Sequence, residues 1–166
     1  MAFLRGLLAL LAIAYGLFNT VAPISTALYK LQGKWPAGWT MAQKALSYPP
    51  FNAGASADRF IPLMQATNWV QIGLWLLADL LYIVAGFRLI GRQPRSAFPV
   101  FLVAFILDVA TWFTFKRLAV YDQTFSPAQQ QQDYVIFGVV VLLGALIWLV
   151  GRSVRRKRVQ PTLLSE

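Results

Sequence analysis

The chain has 166 residues, of which 58% are hydrophobic and 13% charged, with fifteen Lys or Arg against six Asp or Glu. Soluble domains carry roughly 25% charged and 45–50% apolar residues, and a water-soluble fold of this size cannot hide so much apolar surface. Cysteine and histidine are absent and the only glutamate is Glu166, which excludes disulfides, thiol redox chemistry, histidine-ligated haem or zinc, imidazole catalysis and the glutamate–histidine di-iron site of helical bundles.

A helix crosses roughly 30 Å of hydrocarbon with about 20 mostly apolar residues. Four stretches meet that requirement: 3–29, 67–90, 98–118 and 134–151. They are continuous apolar runs rather than period-two alternation, so spanning strands are excluded and helices satisfy the backbone. The expected fold is an all-α integral membrane protein. It is a single four-helix transmembrane bundle over 1–151, with a long extracytoplasmic loop (30–66) between the first two helices and a basic tail (152–166).

In the first stretch, Pro23 lies inside the helix and frees the carbonyl of Asn19. Arg5 ahead of an apolar run resembles a signal peptide, but the run is too long and lacks a clean small-x-small site; a retained span is expected. The loop 30–66 is too long for a turn. Trp35, Trp39, Tyr48 and Phe51 suit a segment resting at the membrane interface. Thr40 suits the cap of a short helix ended by Pro49 and Pro50. Such a loop serves either as a lid or docking surface, or simply as a segment anchored by its aromatics.

Pro62 and Pro99 suit first-turn positions for the second and third helices, Gly91 and Pro94 end the second, and Ser126 with Pro127 opens the fourth. Basic residues gather near Arg5, at Arg88, Arg92 and Arg95, and at Arg152, Arg155, Arg156, Lys157 and Arg158. The positive-inside rule then puts both termini in the cytoplasm, across a membrane of the bacterial inner-membrane type. The tail cluster is a topology anchor and a contact for anionic lipids. One short basic run does not make a nucleic-acid site.

Asp79 and Asp108 fall near the middle of their spans, where an aspartate costs about 2.5–3.5 kcal/mol to insert. They are equidistant from a hairpin turn at Gln93 and Pro94, so they should sit at matching depth. Two carboxylates close together in low dielectric do not both ionise readily. Tyr82 and Thr111 follow the two acids by three residues and can supply hydrogen bonds. Trp75 and Trp112, four residues away, should wall the site, with Tyr15 and Asn19 completing it from the first helix. Arg88 and Lys116 should reach for the interfaces.

Serine nucleophiles have no histidine or mid-membrane lysine, and no phosphate-cradling glycine motif is present. A two-aspartate hydrolase is the one enzyme chemistry left, and four short spans give it little room. No cofactor and no metal site is expected. The reading is a non-enzymatic accessory or assembly subunit of a membrane complex or homo-oligomer. The alternative is a small transporter or proton- or cation-linked binder using Asp79 and Asp108.

Overall fold

A computed structural model describes residues 2–34, 60–91 and 94–159. Trp35, Trp39, Thr40, Tyr48 and Phe51, and the short loop helix expected there, lie outside the described residues. In chain order the elements are α1 (Ala2–Gln32), α2 (Ile61–Ala66), α3 (Trp69–Ile90), a single 3-10 turn (Pro94–Ser96), α4 (Ala97–Lys116), α5 (Tyr121–Thr124) and α6 (Pro127–Val159). There is no strand among the described residues.

Four helices are long and apolar enough to cross a membrane: α1, α3, α4 and the stretch Gln130–Arg152 of α6. Only 22–39% of the most apolar stretch of each is buried within the chain. The rest consists of outward side chains such as Leu10, Leu17, Phe87, Ile106 and Leu142. Water would penalise that surface heavily, and hydrocarbon does not. The chain is therefore a helical membrane protein.

One boundary differs from expectation. Pro62 does not open the second span; it lies in the first turn of α2, a separate short helix. Thr67 is extended, and Asn68 starts a new helix through a capping box. Its side chain accepts from Gln71 N at 2.8 Å, while Gln71 Oε1 accepts from Asn68 N at 2.9 Å. Two satisfied backbone donors outweigh the single preset angle that proline offers. Lys30 Nζ, from the end of α1, donates to the carbonyl of Gln65 at 3.0 Å and so covers the C-terminus of α2. A basic group is favoured at that end of a helix.

Elsewhere the punctuation behaves as expected. Gly91 caps α3, Pro99 sits in the first turn of α4, and the Ser126 carbonyl accepts from Gln130 N at 3.0 Å as α6 begins. α1 continues through the buried Pro23. α6 continues to Val159, so Arg152, Arg155, Arg156, Lys157 and Arg158 lie on the same helix that crosses the membrane.

The closest packing is between α1 and α3, which run antiparallel. A Cβ added at Gly16 would stand 2.6 Å from the Asp79 carbonyl oxygen, and one at Gly86 would stand 2.7 Å from that of Ala9. Ala9, Ala12 and Gly16 share one face of α1, so small side chains let the two backbones approach. α4 packs along the other side of α3. The core draws on all four long helices: Leu8, Ala9 and Ala12; Tyr82, Ala85 and Leu89; Ala97, Phe101 and Ala104; and Val140, Leu143, Ile147 and Val150. These residues lie toward the end where α3 meets α4, called here the tail end. The opposite end, with α2 and α5, is the loop end.

Candidate functional site

The packing of α1, α3 and α4 brings polar groups of three spans to one depth. Asp108 of α4 places Oδ2 between two hydroxyls: Tyr15 of α1 donates at 3.1 Å and Tyr82 of α3 at 3.2 Å. The tyrosine rings meet edge to face at 4.9 Å, and Tyr82 meets Phe101 in the same way at 5.1 Å. Asn19, one turn beyond Tyr15, stands beside its hydroxyl. One carboxyl group thus ties three helices together. Both of these bonds fall on Oδ2, and Asp108 is half-buried.

Asp79 is the other acid of the pair and its surroundings differ. It is 0% exposed, and neither carboxyl oxygen has a hydrogen-bond partner. Asp108 lies within Coulombic range. The hairpin register that matched the two acids in depth is visible in other contacts too. Gln71 Nε2 donates to Thr114 Oγ1 at 3.1 Å, and Trp75 packs against Phe115 at 5.0 Å.

Spacing along one helix did not decide which partner each neighbouring residue takes. Tyr82 follows Asp79 by three residues but donates to Asp108, because its ring reaches across the helix interface. Thr111 is buried, yet its hydroxyl donates to the Leu107 carbonyl of its own helix at 2.8 Å. That back-bond is always within reach of a helical threonine and competes with any partner outside. The two tryptophans have partners of their own. Trp75 packs on Phe115, while Trp112 donates its indole N–H to Asp133 Oδ2 at 3.0 Å. The rings at the carboxyl group are tyrosines.

A second polar cluster, absent from the sequence reading, lies at the loop end. Asp133 Oδ2 accepts from Trp112 and also from the Tyr121 hydroxyl at 2.9 Å. Lys116 Nζ donates to the Tyr134 hydroxyl at 2.8 Å and lies 4.6 Å from the centre of the Trp112 ring. Burial pushes the Tyr121 hydroxyl pKa up, and the hydrogen bond to Asp133 adds to it. The usable signal was Asp133 standing between a polar glutamine run and Tyr134 at the start of an apolar helix.

At the tail end, the Arg152 guanidinium stacks over the Trp148 ring at 4.4 Å. Arg155, Arg156, Lys157 and Arg158 follow on the same helix, and their side chains lie outside the described set. No group of three potential metal ligands occurs among the described residues.

The architecture and this mid-span polar junction define a helical integral membrane protein. No protein-family model, curated protein or solved structure matches the chain.

Proposed function

We propose that this chain is a non-enzymatic accessory or assembly subunit of a membrane complex or homo-oligomer. It resides in a bacterial-type cytoplasmic membrane with both termini on the cytoplasmic side. The observation that carries the reading is the use made of Asp108: its Oδ2 takes one hydroxyl from each of two other helices. In hydrocarbon, such interhelical hydrogen bonds are worth about 0.6–2 kcal/mol each and specify which helices pair. The basic stretch 152–158 then anchors the end of α6 at anionic lipid headgroups, at about 1 kcal/mol per residue near the surface.

A second reading, a proton- or cation-linked binder or small transporter, is favoured by one observation. Asp79 is fully buried with both oxygens unpartnered. Intramembrane acids of that kind commonly carry a proton or ion.

The test replaces Asp79 and Asp108 with Asn, singly and together, and measures folded yield and proton or solute flux in vesicles. The assembly reading expects Asp108→Asn to lower the yield of folded protein and of its native complex, with no flux from the wild type. A double variant that folds normally while a measured wild-type flux disappears would falsify it in favour of transport.

A further inference from the structure

The core is closed at the tail end and opens at mid-span on the side of α6. Along α4 the inward stripe is Ala97, Phe101, Ala104, Asp108, Thr111 and Phe115; all are buried except Asp108, which is half-buried. Along α6 the inward stripe Val140, Leu143, Ile147 and Val150 is at most 9% exposed, yet Ile136, one turn earlier, is 38% exposed. On α1, Leu8, Ala9 and Ala12 are buried while Tyr15 and Asn19 are only half-buried. The α3 side is sealed, since Asp79 and Tyr82 are both 0% exposed. The opening therefore faces outward between α1 and α6 and leaves Asp108 half-buried, with its two tyrosine hydrogen bonds both on Oδ2.

A half-buried acid at this depth is costly, and acids in spans pair with complementary groups. Among the described residues, the four spans offer a second copy of the chain no cation at mid-depth. The described basic residues within the spans are Arg5, Lys30, Arg88, Lys116 and Arg152, all near helix ends, with Lys34, Arg95 and Arg117 just beyond such ends. Lys116 is already held by Tyr134. Exposed apolar side chains lie on the neighbouring turns, Leu11 on α1 and Ile136 and Val139 on α6. Such a rim suits a helix rather than a hydrated ion.

We infer that the opening beside Asp108 is the docking point for a transmembrane helix of a different protein, one that carries a lysine or arginine at mid-depth. The partner's cation meets Asp108 Oδ1, and its apolar flanks lie against the rim. The inference rests on the assembly reading and names the partner's chemistry.

The test uses two synthetic leucine–alanine transmembrane helices, identical except for one central lysine in place of leucine. Each is labelled and mixed with the labelled full chain in neutral phosphatidylcholine vesicles, and energy transfer is read. The lysine helix should bind about tenfold more tightly than the leucine helix. Asp108→Asn should abolish the difference. Ile136→Trp should abolish it as well, by filling the opening with the carboxyl group intact, and so covers the case in which Asp108→Asn does not fold. Asp122→Asn, at the loop end, should keep it.

Equal binding of both helices by the wild type overturns the inference, as does a preference that survives Ile136→Trp. Self-association of the wild type that is lost in Asp108→Asn overturns it in favour of a second copy. Failure here is separable from failure of the assembly reading. If native membranes yield the chain in a larger complex but the lysine helix is ignored, only this inference falls. If the lysine helix is captured by a chain that is monomeric in its own membrane, only the assembly reading falls.

Discussion

Asp108 and Asp133 are each held by two aromatic donors on a single carboxylate oxygen, one at mid-span and the other at the loop end. Asp108 takes Tyr15 and Tyr82 at 3.1 and 3.2 Å; Asp133 takes Trp112 and Tyr121 at 3.0 and 2.9 Å. The first links α1, α3 and α4, and the second links α4, α5 and α6. The difference lies in what surrounds them. At the loop end, near the membrane boundary, water can replace a lost donor or acceptor. At mid-span nothing replaces one, so each group there depends wholly on its protein partners.

The largest effect should come from removing the two acids in turn. Asp108→Ala strands two hydroxyls in hydrocarbon and is expected to cost about 3 kcal/mol. Asp133→Ala exposes its donors to water and should cost about 1 kcal/mol. Unfolding of the two variants in mixed micelles checks this; equal losses would mean that mid-span and boundary do not differ as described.

Next is the approach of α1 to α3, which delivers Tyr15 to Asp108. Gly16→Val brings a side chain against the Asp79 carbonyl, where even a Cβ would stand at 2.6 Å. Pushing the helices apart should cost about 2 kcal/mol and weaken the Tyr15 hydrogen bond. Combining Gly16→Val with Tyr15→Phe should then be less than additive in a double-mutant cycle.

Asp79 sharpens the comparison because the sign reverses. It satisfies no partner, so Asp79→Ala removes a buried polar group and should stabilise the chain by about 1–2 kcal/mol. A lowered melting temperature would show that an unseen group depends on that carboxyl.

The smallest effect is at Tyr121. Tyr121→Phe should cost about 0.5–1.5 kcal/mol at neutral pH. Burial raises the hydroxyl pKa in the folded state, so the unfolded chain loses this proton first. The Tyr121 contribution is intact below about pH 10 and fades as the pH climbs beyond it. Alkaline titration of stability should be shallower in Tyr121→Phe than in the wild type.

Much of this architecture was legible in the residues. Four apolar runs, Gly91 after the second, Ser126 with Pro127 before the fourth, and the matched depth of Asp79 and Asp108 all follow from local rules of length, capping and hairpin register. The partnering of side chains did not follow. Tyr82 and Thr111 shared faces with the acids, yet one reached across to another helix and the other bonded to its own backbone. The small face of Ala9, Ala12 and Gly16 was readable at helical spacing. Trp112 and Asp133 are distant in sequence, and nothing local announces that they meet.

The sequence by itself determined that the chain lives in lipid, because 58% apolar residues in long uninterrupted runs leave no other solvent. It also confined mid-membrane chemistry to two aspartates, through the absence of histidine and cysteine. Only the tertiary structure decided that these two acids have different fates. Helix packing turned one toward two tyrosines and an opening, and sealed the other away from every donor. Depth is a property of position along one helix, and partnership depends on how several helices rotate against each other.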